Sequence, residues 1–215
     1  MTKERRMTLE SLYPYINLKG IFINSWGLNK RNGPKDEIVQ KFTGIFNYLK
    51  QYLLETGIKG IAYYDYFTVR IEDNSLIFPG KDVKWTFPRI QNKCIADSAK
   101  ETGTIALQVV TLGKKISEIM DLMEKDEQFS LLFYLHGFSV WLTEALAERH
   151  HGMIHDEWKD KNRKERYSFG YTLCPDLSYQ QDLFKLLDLN TSSEVELTEN
   201  FMMVPEQSTS AVIFH

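Results

Sequence analysis

Arg166 opens the stretch of this chain best equipped for chemistry, Arg166-Tyr-Ser-Phe-Gly-Tyr171-Thr-Leu-Cys174-Pro175-Asp176. An arginine presents a planar fork of N–H donors that matches a carboxylate. Gly170 sits between aromatic residues and has no Cβ, so backbone there can come close to a ligand. Cys174-Pro175 sets the chain direction ahead of Ser178-x-x-Gln181, a capping box that would open a helix. A ligand with a carboxylate and flat rings suits such a loop. Taken alone, an R-x-x-x-G-Y run is more often only a turn. Further on stands a second run, Glu196-Leu-Thr-Glu199-Asn-Phe201-Met-Met-Val-Pro205.

Other constellations are weaker. His150, His151 and His155 lie beside Glu148, and the i,i+4 spacing of His151 and His155 can chelate zinc. No H-E-x-x-H pattern accompanies them and no third ligand is identifiable, so a solvated polar helix end is expected and no metal site is assigned. Asn190-Thr-Ser192 is a formal glycosylation sequon, irrelevant without secretion. There is no P-loop, no G-x-G-x-x-G and no Ser/His/Asp order. No pair of residues must act as proton donor and acceptor, so no catalytic residue is assigned.

The elements that position these residues follow from periodicity. Ile38, Phe42, Ile45, Phe46, Leu49 and Leu53 recur at helical spacing behind Asp36 and Glu37, and Gly57 stops the pattern. Lys30 to Pro34 reads as a turn. Ile58 to Phe78 reads as β structure with a hairpin at Glu72-Asp73-Asn74-Ser75. Trp85 to Pro88 is a short extended piece whose proline suits an edge. Thr104 to Thr111 is a buried strand, and Ile116 to Met123 a short helix. Phe129 to Trp158 is the longest helix; Gly137 within it costs about 1 kcal/mol against Ala, which predicts close packing there. Val195 to Met203 and Ser210 to Phe214 read as closing strands. The order of elements predicts a single α+β domain over residues 12–215, a twisted and largely antiparallel sheet packed with helices. Residues 1–11, charged throughout, are expected to be flexible.

Composition narrows the class. The 43% apolar fraction can build a substantial core. A net charge of −3 gives no electrostatic footprint for nucleic acid. No window reaches the roughly 18 apolar residues of a membrane span. The N-terminus has no apolar segment behind its basic start, so it is not a secretion signal. Cys94 and Cys174 could pair, but two free thiols in a cytoplasmic protein is the expectation.

The compound signature R-x-x-x-G-Y-x-x-C-P followed by E-L-T-E-x-F-x-M resembles the activation domain of cobalamin-dependent methionine synthase. Leu135-His-Gly-Phe-Ser-Val-Trp-Leu-Thr-Glu144-Ala-Leu-Ala-Glu148 is similar to the helix ahead of the family's arginine loop, and Asp156-Glu157-Trp158 to its end. Leu12-Tyr-Pro-Tyr-Ile16-Asn17 and Phe22 to Trp26 resemble the family's opening Y-I-D-W-x-x-F-F-x-x-W. Phe87-Pro-Arg89, Cys94-Ile-Ala-Asp97 and Ala106 to Thr111 also fit, so the resemblance runs from about Leu12 to His215.

The resemblance implies a reactivation module that binds S-adenosylmethionine and presents it to cob(II)alamin for reductive methylation. Arg166 would hold the methionyl carboxylate, the backbone of Ser168 the adenine end, with Gly170 in the loop. Glu144 would face the ligand and Tyr171 the cobalamin. Asn17 replaces an Asp that pairs with the ligand's ammonium, Phe169 replaces a frequent Pro, and the family pattern continues past the equivalent of His215 to a ligand-covering Tyr. The chain has no Asp-x-His-x-x-Gly segment for cobalamin. The cobalamin would therefore be held by a partner, a cobalamin-binding methionine synthase subunit, with a flavodoxin-like or other low-potential reductant. The alternative implied by Asn17 and the short end is a non-catalytic module of the same fold that has lost S-adenosylmethionine.

Overall fold

The computed structural model describes residues 2–28, 35–99, 102–159 and 164–215. The turn expected at Lys30 to Pro34 lies outside them. The spine of the fold is β2, Lys59–Glu72, rich in the Tyr, Phe, Val and Ile that favour a pleated, half-buried surface. It pairs with β5, Thr102–Thr111, from Ile61↔Thr111 to Arg70↔Thr102. The predicted hairpin forms, with Asp73 at φ 52 leading back into β3, Ser75–Ile77. β4, Lys84–Thr86, closes that side of the sheet just before Pro88, where a missing N–H costs nothing. On the other side β9, Ser208–Phe214, joins β5, and β6, Arg166–Ser168, is the last strand. Every pairing is antiparallel.

Two expectations about strands fail. The stretch 1–11 is not flexible over Lys3–Thr8, which forms β1 and pairs with the start of β2 from Lys3↔Tyr64 to Thr8↔Lys59. Met7 and Leu9 are buried, at 5% and 1% exposure, so the charges on the outer face mask an anchored strand. The segment Val195 to Met203 is not one strand. It folds back as β7, Glu196–Leu197, and β8, Met203–Val204, around a turn with Phe201 at φ 61.

The main helices are α2, Lys35–Thr56, α3, Lys114–Lys125, α4, Phe129–Trp158, and α5, Tyr179–Leu186. Gly57, at φ 72, ends α2 as expected. Ser178 does not build a capping box. Its hydroxyl and its N–H both donate to Asp176 Oδ1, at 2.6 and 2.9 Å, an Asx turn that uses up the cap. α4 lies against β2, β5 and β9, and α2 packs on α4. By length and composition α4 meets the measure of a membrane-crossing helix, contrary to the sequence expectation. Its Leu135, Phe138, Leu142, Leu146 and Ile154 are fully buried among the chain's own residues.

The sheet is covered on both faces. Ile105, Leu107 and Val109 of β5 face a cluster with Phe78, Trp85, Leu183 and Phe184. Val110 faces the helices, with Leu135, Phe138 and Leu142. This is the period-two alternation of a sheet buried on both sides.

The segment between β1 and α2 is irregular. Asn17 caps α1, Leu18–Gly20, by accepting from Gly20 N–H at 2.9 Å, and α1 runs directly into a π-helix, Ile21–Ser25. Trp26 stands one residue further from Asn17 than the pattern Y-I-D-W-x-x-F-F-x-x-W would put it. A π turn holds one more residue than an α turn. Trp26 thereby returns to the core, 4% exposed and stacked on Phe22 at 5.4 Å.

Candidate functional site

A cleft of about 720 Å³ opens between α4, β6 and the turn that follows β6. α4 contributes Glu144 with Trp141 and Val140, three and four residues before it and so its neighbours on the helix surface. β6 contributes Arg166, Tyr167 and Ser168 from the sheet edge. The turn contributes Tyr171 to Cys174, the π-helix Ser25, and the 3-10 turn Ile95–Ser98 adds Ile95.

Arg166 and Glu144 converge on this cleft. Arg166 Nη2 donates to Glu144 Oε2 at 2.9 Å and Nη1 to Ser168 Oγ at 3.3 Å. The arginine side chain is 13% exposed and the glutamate 41%. A nearly buried guanidinium needs a counter-charge and hydrogen-bond acceptors, and Glu144 and Ser168 supply both. A guanidinium has five N–H donors, so this pairing does not exhaust the fork.

The turn is held by its own backbone. Gly170 N–H donates to Cys174 C=O and Cys174 N–H to Tyr171 C=O, both at 2.8 Å. Gly170 has φ +84, and a Cβ there would approach Leu177 Cδ2 to 3.0 Å. Glycine is thus required by the turn; Gly170 itself is not among the lining residues. Tyr171 projects at the mouth, 66% exposed. Phe169 points the other way, buried edge-to-face on Trp85 at 5.3 Å. Burial, aided by Asp176, pushes the Cys174 thiol up to about 12, so it is a packing group and not a nucleophile. Cys94 and Cys174 are both buried free thiols.

Asn17 does not join this constellation. Its Oδ1 is committed to Gly20 N–H, and the opening segment reaches the cleft through Ser25 instead. Sequence reading also missed Trp141 and Val140. Their signal was available, since they lie three and four residues before Glu144 on α4. Ser25 had no such signal, because the π-helix that aims it has no period that a sequence displays.

The three histidines are not a solvated helix end. His150, His151 and His155 are 0%, 5% and 3% exposed, because the last turns of α4 pack on the sheet. His150 Nδ1 and Gln108 Oε1 are 2.7 Å apart, and the ring stands edge-on to Tyr64 at 4.5 Å. Burial, with nearby Arg5, lowers its pKa to about 3, so it is a neutral core residue. His151 Nε2–H donates to Lys164 C=O at 2.9 Å. No group of three His, Cys, Asp or Glu able to hold a metal occurs among the described residues.

Comparisons with known proteins identify the fold and the family. Over its whole length the fold superposes, with a TM-score of 0.86 and 18% identity, on 78% of a chain described as the crystal structure of the MetH reactivation domain bound to AdoHcy. The chain is 28% identical over 249 residues to a methionine synthase of Mycobacterium leprae and 29% over 246 residues to one of Mycobacterium tuberculosis. Those alignments cover 94% and 93% of this chain but 20% and 21% of the relatives, so the chain spans about a fifth of their length. Residues 86–215 match the family model for the vitamin B12 dependent methionine synthase activation domain. On that match, the chain belongs to the activation-domain family of vitamin B12-dependent methionine synthases.

Proposed function

We propose that the cleft binds S-adenosylmethionine and presents its methyl group to a cobalamin held by a methionine synthase subunit. The observation that carries this reading is the nearly buried Arg166, paired with Glu144, beside apolar and aromatic walls. A zwitterionic amino-acid group would meet a cation and an anion side by side, and a nucleoside would meet Tyr167, Trp141 and Ile95. A structural neighbour of the same fold is described as bound to AdoHcy, which supports the ligand class. The exposed Tyr171 at the mouth is the residue placed to face the partner's cobalamin. Reductive methylation itself is chemistry of that cobalamin, and the electron comes from a low-potential reductant. This chain's contribution is positioning. Arg166 fixes the amino-acid end, and the backbone around Ser168 flanks the nucleoside.

The rival reading is a module of the same fold that docks on the partner without S-adenosylmethionine. Asn17 favours it, since an amide there, already accepting from Gly20 N–H, lacks the charge an Asp would set against the ligand's ammonium. Calorimetry decides between them. Wild-type chain should bind S-adenosylmethionine and S-adenosylhomocysteine, and Arg166→Ala should weaken binding by roughly 1.5–3 kcal/mol, the worth of a hydrogen bond to a charged group. No heat with the wild type, under conditions where the chain is folded, leaves the docking module standing. Added to a methionine synthase carrying cob(II)alamin, with S-adenosylmethionine and a reductant, the chain should change the visible spectrum of the cobalamin; an unchanged spectrum rules out reactivation.

A further inference from the structure

Ser25 ends the π-helix and lines the cleft beside Trp141. Its Oγ accepts a hydrogen bond from Trp141 Nε1–H at 3.0 Å. An indole N–H can only donate, so the direction of that bond is fixed. The hydroxyl's own hydrogen is left to donate, and among the described residues no group accepts it. Two glycines make room for this pair. A Cβ on Gly20 would fall 2.4 Å from Trp141 Cη2, so the indole packs directly on the backbone of α1. A Cβ on Gly137 would fall 2.8 Å from Ser25 Cβ, so the π-helix packs directly on α4. Both side chains are thus held in place from behind, with the cleft in front.

The pair also has a definite place along the cleft. Gly137, which touches Ser25, precedes Glu144 by seven residues of α4, about 10 Å at 1.5 Å per residue. Ser25 therefore lies toward the Gly137 end of the cleft, away from Arg166 and Glu144, where the amino-acid end of a ligand would sit.

We propose that Ser25 contacts the ligand, its O–H donating to an acceptor on the nucleoside part, and that Trp141 is the positioning residue that aims it. This rests on the reading of the cleft as a site for S-adenosylmethionine. The test uses the full chain, S-adenosylhomocysteine as probe, calorimetric affinities and the thermal midpoint of each ligand-free variant. Ser25→Ala should weaken binding about fivefold, the effect of one neutral hydrogen bond, with little change in the ligand-free midpoint. Trp141→Phe keeps a ring on Gly20 but removes the N–H, and should weaken binding by a comparable factor. In the Ser25→Ala background the same Trp141→Phe change should cost nothing further, because there is no hydroxyl left to aim. Equal affinity of Ser25→Ala and wild type overturns the contact. An undiminished Trp141→Phe effect in that background overturns the positioning role and makes Trp141 a plain wall. A wild type that binds no probe overturns the S-adenosyl reading and this inference with it, whereas loss confined to the variants' pattern overturns this inference alone.

Discussion

Arg166 and Glu144 form an unequal pair. The guanidinium is nearly buried, while the carboxylate keeps 41% of its side chain in solvent. Deleting the arginine therefore strands no buried charge. Arg166→Ala should cost no more than about 1 kcal/mol of stability, as for a partly exposed ion pair, while removing the ligand's carboxylate anchor. Arg166→Lys should hold folding and recover only part of the affinity, because an ammonium cannot serve Glu144, Ser168 and a ligand in one plane. Denaturant midpoints beside calorimetric affinities separate the two effects; a variant that loses both together marks Arg166 as mainly structural. Asn17 holds a helix cap. Its oxygen caps Gly20 N–H, and Asp caps as well as Asn. Asn17→Asp should leave ligand affinity and stability unchanged, and Asn17→Ala should cost about 1 kcal/mol of stability. Tighter S-adenosylhomocysteine binding by Asn17→Asp would show that the side chain leaves its cap to reach the ligand.

At the scale of elements, α4 carries the site on one face and the core on the other, so changes behind the site are felt in it. Gly137 is the sharpest case. Its missing Cβ is where Ser25 and Trp26 lie, with Trp26 Nε1 only 2.9 Å from the added carbon's position. Ala is the better helix former by about 1 kcal/mol. Yet Gly137→Ala should destabilise, since overpacking costs typically 1–3 kcal/mol and the neighbours are a ring and a π-helix that cannot move freely. A raised thermal midpoint in that variant would mean that the contact yields. The close approach at Gly137 was legible in the sequence, as were α2, α3, α4 and the β2–β3 hairpin, because each shows its period or its turn residues locally. The burial of His150, His151 and His155 was not legible. It is made by β2, β5 and the segment at Lys164, which are remote in sequence. Arg166 and Glu144 could be paired only through the family's motifs, since nothing in their spacing brings a strand edge to a helix. His150 adds a pH dependence to α4. Its folded pKa near 3 lies below its ordinary 6.5. The unfolded chain therefore takes up the proton first, and stability falls as pH drops from about 6.5 toward 3. His150→Gln, which retains a partner for Gln108, should flatten urea midpoints in that window; an equally steep curve would place the dependence elsewhere.

At the scale of the molecule, the first strand and the last turn of the long helix are clamped at Glu157. Tyr66 and Tyr64 hydroxyls donate to its two oxygens at 2.5 and 3.1 Å, and Arg5 of β1 donates at 2.6 Å. Lys3 lies over the Tyr66 ring at 4.5 Å and 3.6 Å from the same carboxylate. The cluster joins β1, β2 and α4. It is the reason that a charged N-terminal stretch is ordered, since lysine and arginine there have carboxylate and aromatic partners from other elements. Burial alone would push the Glu157 carboxyl up. The bonds from Tyr66, Arg5 and Tyr64 outweigh that and hold it near 2, below its ordinary 4.5. A carboxylate with a depressed folded pKa stabilises above its unfolded pKa, and that contribution disappears as pH falls through the folded value. Acid unfolding should therefore acquire a component between about pH 4.5 and 2 that Glu157→Gln lacks. The variant should already be less stable at pH 7, and its urea midpoint should converge on the wild type's at the acid end of this window. Protection of the Lys3–Thr8 amides from hydrogen exchange should fall in the variant at pH 7 while the β5 and β9 amides keep theirs. Uniform loss across the sheet would mean that the clamp supports the whole fold and that β1 is not separable from it.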